Sequence, residues 1–458
     1  YAALGRCHDH RGDAYLVCLS VRGRIRCVAC IVLLLHGDQR SADGVPLSSF
    51  EIALTGIGAL LILLALRVPV AVAMIVIGVG GYVSLAGWAP LLNYAKTSAY
   101  WRFANYDLSI IPMFLLMSQF AARAGLSRAL FQAANTYLGH RRGGVAMAAV
   151  GGCAGFGAIC GSSLATAATM APVALPELRR FQYSDALATG ALAAGGTLGI
   201  LIPPSIVLVI YAIAVEANIV TMLQAALVPG ILAALGYILT ISIYVRFRPE
   251  AGPVGDRSDR AQRRRALVET WPVITIFLVV IGGIYFGIFT PTEGAAVGAF
   301  GTLLIAVWKG GLRLQGFVEC AVAAAISTAM IFLILLGADF FSVFLALSRM
   351  PADLVTFITD SGLSPMAVLI LIVVIYLLLG MVMDSLAMIV LTVPIFWPII
   401  AGLDFGLSAA DLKMWFGIIA VIVVEIGLIT PPVGLNVLVI NSAAKGVRLR
   451  ETFVGVLP

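Results

Sequence analysis

Pro69, Ser163 and Pro172 each find a matching residue 222 positions further along, at Pro291, Ser385 and Pro394. Gly199-Ile-Leu-Ile-Pro203-Pro204 likewise returns as Gly427-Leu-Ile-Thr-Pro431-Pro432, displaced by 228, so six extra residues enter a loop before the second copy. One Gly-x-x-x-Pro-Pro pair can arise by chance. A pair in register with three other landmarks marks an internal duplication, so the fold must be built twice. The two halves span about residues 50–245 and 270–447.

What repeats is apolar. Of 458 residues, 61% are hydrophobic and 11% charged, and the mean hydropathy is +1.04. Soluble domains run near 45–50% apolar and about 25% charged. The chain is therefore expected to be an all-α polytopic membrane protein, which excludes a soluble enzyme, a nucleic-acid-binding module and a disordered scaffold. A net charge of +6 then reads as basic cytoplasmic loops rather than as a nucleic-acid partner.

Residues 1–47 stand apart. They hold Cys7, Cys18, Cys27 and Cys30, three of the four histidines (His8, His10, His36) and six arginines. Only Cys27-Val-Ala-Cys30 has the two-residue gap of a zinc pair, too little for a zinc site, and no signal-peptide cleavage pattern is present. The segment reads as a non-native or disordered upstream extension, with translation expected to begin near Leu47. Cys153, Cys160 and Cys320 lie in apolar stretches and form no disulfide framework.

From Ser48 onward, apolar segments fall near 50–66, 69–90, 108–122, 144–176, 184–215, 219–245, 270–289, 291–308, 316–345, 363–401 and 412–444. A helix crosses a hydrocarbon core of about 30 Å with roughly 20 residues. Several segments are longer and are broken by Gly, Pro, Ser and Thr. Non-helical backbone at membrane depth must be enclosed by protein or line a polar cavity, so function is sought at the breaks.

Loop charge orients the halves. Within the linker of residues 246–269, the stretch Arg246 to Arg265 holds seven arginines against Glu250, Asp256 and Asp259, which makes it cytoplasmic. The 144–176 segment is flanked by His140-Arg141-Arg142 and Arg179-Arg180, so both of its ends face the cytoplasm. The 363–401 segment lies between Asp353 and Asp360 on one side and Asp404 and Asp411 on the other, so both of its ends are periplasmic. A tail of residues 448–458, with Arg448 and Arg450, returns to the cytoplasm. Two inverted-topology repeats follow, 48–245 and 270–447, each with a re-entrant helical hairpin and a broken helix. Secondary transporters bind at the interface of such repeats.

Four segments carry chemistry. The first hairpin turns at Gly161-Ser162-Ser163, followed by Thr166 and Thr169. Small residues let half-helices approach, and hydroxyls and freed carbonyls can coordinate a dehydrated cation. Plain small-residue packing is the competing account for Thr166 and Thr169. The second hairpin turns at Gly380-Met-Val-Met-Asp384-Ser385, where Asp384 either coordinates sodium or caps the following half-helix. In the broken segments, Gly199 to Pro203-Pro204-Ser205 and Gly427 to Thr430-Pro431-Pro432 with Asn436, prolines remove amide donors and leave carbonyls available. Glu293 is positioned to cap a helix, whereas Asp339 and Glu425 suit either an ion or an interface role.

The stretch GSSLATAATMAPVALPEL with ATGALAAGGTLGILIPPS, and GMVMDSLAMIVLTVPIFWPI with EIGLITPPVGLNVLVI, resembles the large membrane (M) subunit of tripartite ATP-independent periplasmic (TRAP) transporters, the DctM-like family. The resemblance covers about residues 48–455, and such subunits tend to begin with a sequence like Ser48-Ser-Phe-Glu-Ile-Ala-Leu. It implies an elevator-type ion transporter fold and a sodium-coupled permease of the bacterial inner membrane. Such a permease imports an organic acid anion of the C4-dicarboxylate or sugar-acid type. Its implied partners are a small four-helix membrane subunit (Q type) and a periplasmic substrate-binding protein (P type). Co-transported sodium, with no organic cofactor and no transition metal, is assigned to Gly161, Ser162, Ser163, Gly199, Pro203, Asp384, Ser385, Gly427, Thr430 and Pro431. The solute is assigned to Thr166, Ser205 and Asn436, between the hairpin tips.

No Gly-x-x-x-x-Gly-Lys-Ser/Thr loop is present, which leaves an ion gradient as the driver. His140 is the one histidine beyond residue 47, so hydrolase machinery is not expected. The rival readings are a stand-alone sodium/dicarboxylate symporter or antiporter of related fold, and an uncoupled channel-like subunit.

Overall fold

The computed structural model describes residues 48–255 and 257–457; the expectations placed on residues 1–47 lie outside the described residues. Among the described residues the chain is helical, with extended pairing limited to an isolated bridge between Arg142 and Val254. The described helices group into two compact units.

One unit holds residues 48–102 and Leu333–Leu354. It begins with α1 (Ser49–Ala65), where Ser48 and Glu51 form a reciprocal capping box. α2 (Val70–Ala86) and α3 (Trp88–Phe103) follow. Gly56 and Gly81 lie against the Phe344 ring, and Gly78 against the backbone of Phe340 and Phe341. Asp339 accepts a hydrogen bond from the Tyr94 hydroxyl at 2.6 Å and pairs with the Arg102 guanidinium. An apolar helix can carry that carboxylate because its charge is answered inside the unit. Asp339 is thereby a structural ion-pair residue of the unit.

The other unit holds Phe103–Phe332 and residues 355–457. α4 (Ile110–Arg123) and α5 (Leu126–Leu138) meet at a 64° bend. α6 (Gly144–Cys160) and α7 (Ser163–Arg180) form the first hairpin. α8 (Asp185–Leu201) and α9 (Ile206–Ala214) are the two pieces of a helix broken by 44°. α10 (Ile219–Phe247) leads through the arginine-rich linker to α11 (Arg260–Phe277), whose path extends through a π-helical turn at Leu278–Gly282. α12 (Pro291–Trp308) is capped by Thr290 and Glu293, the role expected of that glutamate. α13 (Leu314–Leu347) and α14 (Met350–Asp360) run from one unit into the other. The second hairpin, α15 (Pro365–Gly380) and α16 (Ser385–Ala401), is followed by the broken pair α17 (Ala409–Gly427) and α18 (Leu435–Ala443), then by α19 (Leu449–Val456).

Three of the four hairpin arms are short. Among the described residues, four helical stretches, Ile219–Phe247, Arg260–Tyr285, Pro291–Trp308 and Leu314–Leu347, are long and apolar enough to cross a membrane, or up to six if each bent pair counts as one. α6 and α16 have 17 residues each and α15 has 16. At 1.5 Å per residue they reach roughly 25 Å, short of the hydrocarbon core. The second arm of each hairpin carries two internal prolines, Pro172 and Pro176 in α7, Pro394 and Pro398 in α16. Tyr211 of α9 joins the halves at the core: its ring sits over Gly417 of α17, and its hydroxyl donates to the Lys413 carbonyl at 2.9 Å.

Candidate functional site

The first hairpin reverses over two residues. Gly161 adopts φ +65°, a left-handed conformation glycine takes without cost, and closes α6. Ser162 is the N-cap of α7, its Oγ accepting from the Ala165 N–H at 3.4 Å. The tip is seated on the break between α8 and α9. The Ile206 N–H donates to the Gly161 carbonyl at 3.4 Å, and a methyl built on Gly161 would lie 2.6 Å from the Pro204 carbonyl oxygen. A methyl on Gly199 would lie 2.5 Å from Thr166 Oγ1 and 2.7 Å from the Ser162 carbonyl oxygen. Gly161, Ser162, Ser163, Thr166 and Gly199 are thus brought together, and the residue of the proline pair that meets the tip is Pro204, next to the expected Pro203.

The second hairpin uses the same device with other residues. Asp384 is the N-cap of α16, and its Oδ2 accepts from the Leu386 N–H at 3.3 Å. The Gly434 N–H donates to the Met381 carbonyl at 3.4 Å, joining this tip to the break between α17 and α18. Gly427 meets Gly380: a methyl on Gly427 would lie 2.7 Å from the Gly380 Cα. Ser385 is buried at the start of α16. Both tips are capped turns pinned by one backbone hydrogen bond to their own broken helix.

The two breaks differ in what they leave available. Each contains a cis Pro–Pro bond, Pro203–Pro204 and Pro431–Pro432. In the first, the residues that would donate to the Gly199 and Ile200 carbonyls four positions back are Pro203 and Pro204, which have no N–H. In the second, the Thr430 N–H reaches the Gly427 carbonyl at 3.0 Å and the Asn436 N–H reaches the Leu428 carbonyl at 3.1 Å. The Thr430 hydroxyl bonds back to the Ile426 carbonyl at 2.6 Å, and Pro431 is exposed. The equivalence of the breaks in sequence therefore does not extend to their free oxygens: the first offers carbonyls, whereas the second sits beside the Asp384 carboxylate. Ser205 caps α9, its Oγ accepting from the Leu208 N–H at 3.3 Å.

Three buried side chains around the first hairpin lack hydrogen-bond partners: Thr166 at Oγ1, Glu425 at both carboxylate oxygens, and Asn436 at both amide atoms. Glu425 is 1% exposed, and the groups near enough to act on its charge are Ser163 and Asp384. Around Asp384 itself lie the backbone amides of Ser385, Leu386 and Ala387. Among the described residues no cationic side chain pairs with either carboxylate. The sequence left Glu425 between an ion and an interface role; its signal was an acid two residues before the glycine of a break. Among the described residues no cluster of three or more His, Cys, Asp or Glu side chains is placed to hold a metal ion.

Comparison with known proteins adds four findings. Residues 57–458 match the family model of the tripartite ATP-independent periplasmic transporter DctM component. The chain is 39% identical to a C4-dicarboxylate TRAP transporter large permease protein DctM of Pseudomonas aeruginosa, over 77% of this chain and 81% of that protein. It is 32% identical to an isethionate TRAP transporter permease protein DctMQ of Oleidesulfovibrio alaskensis, over 86% of this chain and 61% of that longer protein. Among solved structures, the YdaH transporter of Alcanivorax borkumensis shares the fold with a TM-score of 0.59, covering 81% of this chain and 86% of that one at 14% identity.

Proposed function

The chain belongs to the DctM family of tripartite ATP-independent periplasmic transporter components, and from that premise we propose that it is the large permease subunit of a sodium-driven importer of a small organic anion. It is a multi-pass protein of the bacterial inner membrane and a transporter component, not an enzyme. The carrying observation is the electrostatic deficit between the hairpin tips. Asp384 and Glu425 stand there with no cationic side chain beside them, next to a break whose Gly199 and Ile200 carbonyls have lost their donors. An organic anion cannot join two carboxylates in a low-dielectric site unless cations come with it. Sodium, a hard cation that accepts hydroxyl, carbonyl and carboxylate oxygens, supplies that charge and ties uptake to its own gradient.

In this reading the sodium ions lie at Ser162, Ser163 and the Gly199–Pro203 break, and at Asp384, Ser385 and Gly427. The anion lies between the tips. Its class is a C4-dicarboxylate or sugar acid, the first of these supported by the name of the Pseudomonas relative. The hairpins and broken helices move together as an elevator against a fixed scaffold. A small four-helix membrane subunit and a periplasmic binding protein complete the machine, and the arginine-rich linker faces the cytoplasm.

The test is uptake into liposomes containing the chain and its small subunit. The binding protein is added outside, loaded with the anion that stabilises it in a thermal-shift screen. An inward sodium gradient should drive accumulation that stops when either the gradient or the binding protein is withheld. Undiminished uptake without the binding protein would establish a stand-alone symporter instead.

A further inference from the structure

We propose that the arginine-bearing end of α10, together with the turn before the first hairpin, binds an anionic phospholipid. The inference rests on the chain's place in the membrane and is independent of sodium coupling.

One face of α10 changes character along its length. Leu235, Ile238, Leu239, Ser242 and Arg246 occupy positions i, i+3, i+4, i+7 and i+11, so they form a single stripe on the helix. Leu235 and Leu239 are 57% and 60% exposed. The other side of this end is taken: Ile241 and Val245 are buried, and a methyl built on Gly143 would lie 2.9 Å from Val245 Cγ2. From Leu235 to Arg246 the stripe rises roughly 17 Å. It passes from exposed hydrocarbon through one hydroxyl to a guanidinium. An acyl chain, its ester and a phosphate present complementary parts in the same order.

The same stripe walls a cavity of about 560 Å³, which Arg141 and Arg142 line from the turn between α5 and α6. That turn is fixed. The Gly143 N–H donates to the Gly252 carbonyl at 3.0 Å, and the Gly255 N–H donates to the Gly139 carbonyl at 3.0 Å. Arg142 bridges to Val254 as well. Three arginines from two elements are therefore held around one cavity before a ligand arrives, which lowers the ordering cost of binding.

Their charge is unanswered. No acidic residue lines this cavity, and among the described residues the arginines in ion pairs are Arg102, Arg123, Arg180 and Arg265. The larger cavity of about 820 Å³ beside α5, α7 and α11 is different, because Glu177 and Glu269 there pair with Arg180 and Arg265. Guanidinium forks match the oxygens of a phosphate. Basic pockets beside membrane-spanning helices take anionic headgroups, and an acyl chain from the same molecule covers the leucines. A free phosphate would use half of the site, and a zwitterionic lipid would add an ammonium group that three guanidiniums repel.

The experiment measures the melting temperature of the purified full chain in a nonionic detergent while dioleoylphosphatidylglycerol is titrated in. Dioleoylphosphatidylcholine and glycerol 3-phosphate are titrated in parallel. Phosphatidylglycerol should raise the melting temperature with a saturable midpoint, and the other two should not. Arg141→Gln, Arg142→Gln and Arg246→Gln combined should raise that midpoint roughly a hundredfold, at about fivefold per arginine. Arg246→Gln alone should raise it about fivefold, which keeps the site testable where the triple variant folds poorly. Arg257, Arg260 and Arg264 are exposed in and beside the linker, so Arg257→Gln, Arg260→Gln and Arg264→Gln combined remove equal charge elsewhere and should leave the midpoint unchanged. No response to phosphatidylglycerol would overturn the site. So would an equal response to phosphatidylcholine or glycerol 3-phosphate, or an equal loss in the linker variant.

Discussion

Gly157 and Gly199 meet backbone to backbone: a methyl built on Gly157 would fall 2.6 Å from the Gly199 Cα. This contact lets the first arm of a hairpin lie directly on the broken helix that shares its site, and Gly380 repeats it with Gly427 in the second half. Neither neighbour has a flexible side chain to move aside. Gly157→Ala and Gly427→Ala should each destabilise the protein by about 1–3 kcal/mol through overpacking, read as a lower melting temperature of the purified chain. Gly236 has open space on its helix, so Gly236→Ala should leave that temperature unchanged or raise it.

Asp384 and Ser162 hold equivalent positions, each the N-cap of the second arm of its hairpin, and Ser163 directly follows the first of these caps. If Asp384 and Ser163 hold cations, Asp384→Asn and Ser163→Ala should keep the protein folded while sodium-driven uptake falls at least tenfold. The sodium concentration for half-maximal uptake should rise where activity remains. Asp384→Asn preserves an N-cap oxygen, so a capping role alone predicts near-normal uptake from it.

Asp339 is answered inside its own unit by Arg102 and Tyr94. Arg102→Ala leaves a partly buried carboxylate without its counter-ion, at a cost of about 1–3 kcal/mol. Melting temperature should fall accordingly, while the sodium concentration for half-maximal uptake should stay at its wild-type value. A changed sodium dependence would mean that this pair belongs to the coupling machinery.

The inverted reading makes a topological prediction. In a chain cleared of its own cysteines, Arg257→Cys in the linker should react with a membrane-impermeant maleimide only from the cytoplasmic side. Ser361→Cys, before the second hairpin, should react only from the periplasmic side. Both positions are exposed. Labelling of both from one side would contradict two halves of opposite orientation.

Much of this architecture was legible because it depends on backbone chemistry that leaves a mark on residue type. Glycine at 161 and the proline pairs at 203–204 and 431–432 are needed where a chain turns or stops being helical. Thr290 three residues before Glu293 spelled out a capping box. Hydrogen bonds made by the irregular backbone of the breaks were not legible. Sequence equivalence made the two breaks alike, yet the amides of Thr430 and Asn436 close the second while the first stays open. Nor could the chain announce that Asp339 is answered and Glu425 is not. That difference lies in which helices pack beside each acid, and an isolated carboxylate in an apolar run looks the same in both cases.

The most direct test of the central claim needs no knowledge of the transported anion. The melting temperature of the purified protein is measured in sodium chloride and in potassium chloride at equal ionic strength. A ligand that binds only the folded state at about 100 times its dissociation constant stabilises it by roughly 2.7 kcal/mol. Sodium should therefore raise the melting temperature in a concentration-dependent way where potassium does not, and Asp384→Asn combined with Ser163→Ala should remove the increment. Identical melting curves in the two salts across the full concentration range would contradict sodium sites at the hairpin tips.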